Sequence, residues 1–305
     1  MGELGREGLY IPFHTATVEP SLFHYSGFMG EEKRQKVASM FKRPVTWRQY
    51  CDEISPTNCS TPDDTAAQYP SDADYDRYFL LDLFQGYFVA TEKNNCTVTP
   101  NCTGHFVDYP CGWSSFAEPM MHHFTIAMES EGPDGPPRGY PFNSMQEIWR
   151  AANATRNHVM MTYFEPEALF QEFLNTDYAF QRVAFPQTTE ECVKARRPAH
   201  LRCDATASFE ERMGDSAGTC EEPDQPLQKV VVRALKEITI GDDIPAAVKS
   251  PAYHFVKEFK IDNIQIGAIF SKWIQKYNQD TRFGLRQATC EWIVNNLEYL
   301  EASFV

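Results

Sequence analysis

The chain has 305 residues, 42% hydrophobic and 23% charged, the proportions of a globular protein able to bury a sizeable core as one large domain or two lobes. Lys plus Arg number 28 against 42 Asp plus Glu, a net charge of −14 that argues against nucleic acid or an anionic membrane as partner. The acidity is spread along the chain and reads first as a solvated surface, and no apolar stretch is long enough to span a bilayer.

Residues 1–30 are short apolar pieces broken by Gly and Pro, and residues 51–75, rich in Pro, Thr, Asp and Ser, read as a surface loop. Tyr78–Phe84 reads as a short helix or strand lead-in, Gly86–Thr91 as a strand, and His105–Tyr109 as a short strand ended by Pro110. A helix is expected from Ser114, with Ser115 and Glu118 as a capping box, then a loop over 131–139. Ser144 and Glu147 form a second capping box, and Met145, Ile148, Trp149 and Ala152 share one helical face. His158–Phe164 reads as a buried strand, which Pro166 must end, and a helix follows through Leu169, Phe170 and Phe173. This order predicts a parallel α/β layer between about 86 and 175. After Pro186 the chain turns helical. Three amphipathic stripes are expected to pack there: Leu227, Val230, Val231, Ala234 and Ile238; Ile266, Ile269, Phe270 and Trp273; and Cys290, Ile293, Val294, Leu297 and Leu300.

Nine cysteines cluster at Cys51/Cys59, Cys96/Cys102/Cys111 and Cys192/Cys203/Cys220, with Cys290 alone. Asn58, Asn95, Asn101 and Asn153 begin N-glycosylation sequons, three of them overlapping a cysteine. Together these point to the secretory route, an extracellular or cell-surface location, and disulfides, at least one of them local among Cys96, Cys102 and Cys111. The polar start carries no signal peptide, and Arg6 excludes a myristoylation signal, so an upstream leader is expected.

A strand end is where open α/β sheets place ligands, and Tyr163, Phe164, Glu165 and Glu167 put aromatic faces beside carboxylates there, a setting for a methylated cation. The bland alternative makes Tyr163 and Phe164 core residues. Trp113, Ser114 and Ser115 lie at an expected helix start, suited to an anionic group with Trp113 as a wall. The alternative there is a capping turn with a packed Trp. The adjacent His122 and His123 point to different faces and make a poor metal pair. Gly112-x-Ser114-x-Phe116 fails the nucleophile-elbow pattern, which leaves an enzyme without positive support and no catalytic, metal or cofactor residues to name.

Four segments resemble the glycine betaine/quaternary-amine substrate-binding proteins of ABC transporters. Phe164-Glu165-Pro166-Glu167 stands where that family has W-x-P-H at a strand end, its Trp forming part of an aromatic cage. Gly86-Tyr87 through Trp113-Ser114-Ser115 resembles the segment that opens the second lobe. Ala288-Thr289-Cys290-Glu291-Trp292 onward to Phe304 resembles the closing helix. Gly5-Arg6-Glu7-Gly8-Leu9-Tyr10-Ile11-Pro12 resembles the G-W-Y-hydrophobic-P crossover. The resemblance implies an α/β, two-lobed periplasmic-binding-protein-like fold of type II. Residues 72–183 would form lobe two, and 1–71 with 184–305 an incomplete, mostly helical lobe one. The cysteine- and sequon-rich insert at about 92–111 departs from bacterial members and suggests a secreted eukaryotic-type version. Phe at 164 and Glu at 167 depart from the family's Trp and His.

The implied function is an extracellular solute-binding domain for a small quaternary amine or zwitterion such as glycine betaine or choline. It would work in transport or sensing, beside a transporter or a fused signalling domain. Trp113, Tyr163 and Phe164 would be walls, Ser114 and Ser115 would hold an anionic end, and Glu165 or Glu167 would face the cation. The alternative is a structural or protein-interaction ectodomain that kept the fold and lost the ligand.

Overall fold

The computed structural model describes residues 4–46, 49–50, 86–113, 116–132, 139–237, 251–280 and 282–303. The expectations on the loop at 51–75, on Tyr78–Phe84 and on Cys51, Cys59, Asn58, Ser114, Ser115, Ile238 and Phe304 lie outside these residues. The chain is a mixed α/β protein with several small sheets. It divides into two compact units, one formed by 7–163 and 175–223, the other by 1–6, 164–174 and 224–305. This is a different division from the lobes expected above, whose 71/72 boundary falls on undescribed residues.

In the larger unit, strand β1 (Leu4–Pro12, which begins in the smaller unit) is the central element. Its neighbours in the sheet are β6 (Met161–Glu165) and β7 (Phe180–Arg182). The β7 pairing is antiparallel, with Tyr10 opposite Arg182 and Pro12 opposite Phe180. The sequence hid this strand: Gly5 and Gly8 break its pattern, although Leu9, Tyr10 and Ile11 are all core residues. A Cβ at Gly8 would lie 2.9 Å from Nε of Arg182, so a larger residue there would push that side chain aside.

Helix α1 (Phe13–Val18) and helix α2 (Arg34–Met40) lead to β2 (Arg43–Val45), which pairs antiparallel with β3 (Tyr87–Val89). Strand β4 (Gly104–His105) runs parallel to β5 (Met128–Glu129), and Val107 makes a parallel bridge to Met161. The single parallel layer expected over 86–175 is therefore replaced by several short pairings. The strands here are two to five residues long, too short to line up as one sheet.

Helix α3 (Ala117–His123) starts at Ala117, with Phe116 at the cap position and no side-chain cap. Glu118 is then the second helical residue, not the third as the capping-box spacing requires, and the expectation on Ser115 itself lies outside the described residues. Helix α4 (Phe142–Thr155) begins two residues before Ser144, which corrects the second box as well. Its face is as expected: Met145, Ile148, Trp149 and Ala152 are fully buried. Trp149 stacks on Phe180 with centroids 3.8 Å apart, and its Nε1 donates to the Tyr178 carbonyl at 3.1 Å. The main core gathers around Leu9, Ile11, Phe28, Phe41, Phe106, Met120 and Met160.

Helices α6 (Glu190–Ala195), α7 (Ala199–Arg202) and α8 (Phe209–Met213) are short and depend on caps: Thr189 accepts from Cys192 N–H, and Ser208 and Glu211 form a capping box. Among the described residues three disulfides join Cys96–Cys102, Cys111–Cys203 and Cys192–Cys220. The expected local bridge among Cys96, Cys102 and Cys111 is the first of these. Cys290 is a free, exposed thiol.

The smaller unit contains α5 (Ala168–Glu172), the short strand β8 (Gln225–Pro226) paired antiparallel with β1 at Leu4 and Gly5, and five helices. These are α9 (Arg233–Glu237), α10 (Pro251–Glu258), α11 (Asn263–Tyr277), α12 (Leu285–Asn295) and α13 (Leu297–Glu301). Its core is small: Ile269, Phe283 and Ala288, with Ile261, Trp273 and Trp292 packed against them. The stripe expected from Leu227 does not form among the described residues, where Arg233–Glu237 is the helical part and Val230 is 96% exposed. The third stripe holds only at its end: Leu300 is buried, but Cys290, Ile293, Val294 and Leu297 are exposed, while Ala288 on the same helix as Ile293 is buried. Among the described residues no helix is long and apolar enough to cross a membrane.

Candidate functional site

Trp113 ends a turn in which its N–H donates to the Pro110 carbonyl at 2.8 Å, next to the Cys111–Cys203 bridge. Its side chain is 49% exposed and stacks on the buried ring of Tyr109, centroids 5.5 Å apart at 28°. One side of the indole is thus supported and much of the ring faces solvent. Tyr163, also in the larger unit, is a core residue: its ring lies parallel to Phe142 at 5.8 Å and near Phe180 at 5.9 Å, and its hydroxyl accepts from Gln146 Nε2 at 3.1 Å. Phe164, Glu165 and Glu167 are half-buried and belong to the smaller unit. Glu167 caps α5, accepting from the Leu169 N–H at 2.8 Å, so one of its oxygens already has a structural task. His122 lies 3.4 Å from Glu210, and among the described residues no group of three His, Cys, Asp or Glu side chains is arranged to hold a metal ion.

A second constellation, in the larger unit, was missed by the sequence reading. A small cavity of about 20 Å³ is lined by the polar Glu7, Thr162, Glu221 and Glu222 and by the apolar Leu9, Phe116, Met120, Val183 and Phe185. Two arginines stand over the Phe116 ring, Arg196 at 4.2 Å and Arg202 at 4.5 Å from its centroid. Arg196 is tied down by Glu222 at 2.6 Å and by the carbonyls of Cys220 at 2.6 Å and Glu221 at 2.9 Å. Arg202, almost wholly buried, reaches the Cys111 sulfur at 3.6 Å. The disulfides Cys111–Cys203 and Cys192–Cys220 thus fix the segments that deliver both guanidiniums. On the other flank Arg182 pairs with Glu221 at 3.0 Å and donates to the Glu7 carbonyl at 3.3 Å.

Burial dominates the electrostatics of this cluster. It pushes Glu7 up to about 8, helped by the negative charges of Glu222 and Asp108 and opposed by Arg196 and Arg202. It pushes Glu118 up to about 7 against the pull of Arg212, 3.5 Å away, and also raises Glu222. The same burial lowers Arg202, which the surrounding carboxylates partly restore. Carboxyls poised near neutrality in a partly apolar cavity can hold a proton or take a cation.

Another cavity, of about 210 Å³, is lined by Glu19, Ser21, Lys33, Lys36 and apolar neighbours. Its charged groups are already engaged: Lys36 with Glu19, and Lys33 with the Ser26 carbonyl.

The missed residues lie far apart in the chain, from Glu7 to Glu222. Only one local signal marked them, an acid opening the apolar run Leu9-Tyr10-Ile11. No protein-family model matches the chain, and no curated protein does.

Proposed function

We propose that the chain is an extracellular solute-binding domain of the two-lobed, type II periplasmic-binding-protein kind. Its ligand is a small quaternary amine or zwitterion such as choline or glycine betaine, and its role lies in transport or sensing. The division into two units, each assembled from separated stretches of chain, supports the two-lobed reading. Three disulfides support an extracellular setting.

The observation that carries the ligand class is Trp113, half-exposed and backed by Tyr109. An indole face is the best aromatic wall for a quaternary ammonium, worth about 2 kcal/mol when desolvated. Trp113→Ala should therefore weaken choline binding by about 30-fold. A thermal-shift titration of wild type and variant with choline tests this. An equal shift in both proteins would remove Trp113 from the site.

The competing reading is a protein-interaction ectodomain. It draws on the exposed apolar side chains of the smaller unit, Val230, Val232, Ile264 and Val294.

A further inference from the structure

The cavity beside Phe116 presents three oxygens that no protein group satisfies. Glu7 Oε1, Thr162 Oγ1 and Glu222 Oε1 are all buried without a hydrogen-bond partner in the protein. Thr162 is 2% exposed, so bulk water does not reach its side chain either. Unsatisfied buried acceptors cost about 1–3 kcal/mol each, and three in the lining of one cavity call for a donor. The same lining includes the apolar Phe116, Met120 and Phe185.

Charge narrows the class of donor. Around Glu7 stand the carboxyls of Asp108 and Glu222, against the guanidiniums of Arg196 and Arg202. With Glu7 itself three acids then face two bases, since Arg182 and Glu221 neutralise each other. Tyr109 also faces the cluster but is held neutral, its hydroxyl pushed far above the usual range by burial and by Glu7. With every carboxyl ionised one negative charge is left over, which an anion would aggravate and a single monovalent cation would balance. A divalent metal wants about six or more oxygen ligands, more than this lining offers. A quaternary ammonium has no N–H for these oxygens. The space is narrow as well, admitting about one or two water-sized bodies.

We infer that this cavity is a binding site for a small primary ammonium, whose three N–H groups meet Glu7, Thr162 and Glu222 while its alkyl end rests on Phe116, Met120 and Phe185. The site is separate from the Trp113 face proposed above and takes a different ligand class. Because a proton on Glu7 satisfies the same charge, proton and ammonium compete. Glu7 is about nine-tenths protonated at pH 7 and about nine-tenths ionised at pH 9, so affinity should rise about tenfold between them.

The test is calorimetric titration of the glycosylated, disulfide-bonded protein with methylammonium chloride at pH 7 and pH 9, at fixed ionic strength. Tetramethylammonium serves as the control that reports only on an aromatic face. The wild type should bind methylammonium about tenfold more tightly at pH 9. Glu7→Gln should bind weakly with no pH slope, and Thr162→Val should lose affinity several-fold while keeping the slope. Should Glu7→Gln fail to fold, the wild-type slope and Thr162→Val decide the matter. Absence of methylammonium heat at both pH values, with or without heat from tetramethylammonium, would overturn the inference and leave the cavity to water alone. Equal binding by wild type and Glu7→Gln would overturn it as well. Heat from tetramethylammonium bears only on the Trp113 reading, so the two proposals fail separately.

Discussion

Replacing Glu7 by Gln should stabilise the protein in alkaline solution and do little in acid. The carboxyl ionises at its ordinary value of 4.5 when the chain is unfolded but near 8 when folded. Between those values the folded state holds a proton that the unfolded state has released, so stability falls as pH rises through this window. Below 4.5 both states are protonated and no penalty exists. Above 8 the full penalty applies: about 3.5 pH units at about 1.4 kcal/mol each, or about 3–6 kcal/mol given the one-unit precision of the shift. Glutamine is neutral throughout and escapes the loss. The expected result is that urea unfolding of wild type and Glu7→Gln gives similar free energies at pH 4.5, with the variant ahead by about 3–6 kcal/mol at pH 8.5. A variant less stable than wild type at pH 8.5 would refute the reasoning. It would mean that Arg196 and Arg202 hold Glu7 ionised and that its charge helps the fold.

Further outcomes follow from the packing and the bridges. Trp149→Ala should cost about 3–5 kcal/mol in urea unfolding, because the ring is fully buried against Phe180 and loses its bond to the Tyr178 carbonyl. Replacing Cys192 and Cys220 together by Ala should cost about 3–4 kcal/mol from the 28-residue loop they close, and it should also loosen Arg196, whose Nη2 is bonded to the Cys220 carbonyl. Peptide mapping of protein expressed through the secretory pathway should find glycan at Asn95 and Asn101, both exposed; unmodified asparagine at both would contradict an extracellular setting.

Some of the fold was legible because it is written in short-range patterns. The 3.6-residue spacing of Met145, Ile148, Trp149 and Ala152 identified a buried helix face, and the clustering of Cys96 and Cys102 identified a local bridge. The ends of helices were less legible. Ser144 carries a capping-box spacing, yet Pro141 starts α4 earlier, since a proline suits the edge of a helix as well as serine does. The stripes around Val230 and Val294 failed for a different reason: apolar periodicity says that a face could be buried but not that something covers it. Of the residues first considered for a site, Tyr163 lies in the core and Glu167 caps a helix. Both roles were available to those residue types from the outset. The Glu7 cluster was out of reach because it joins β1, the start of α3, β6 and the disulfide-held segments after Thr189. Only tertiary pairing brings those segments together.

The central claim is that this chain binds a small quaternary amine. The most direct measurement is calorimetric titration of the glycosylated protein against choline, glycine betaine, proline betaine and dimethylsulfoniopropionate. The account predicts saturable heat with at least one of the four, lost in Trp113→Ala. No heat with any of them, from a protein whose three disulfides are intact, would contradict it and favour the interaction-ectodomain reading.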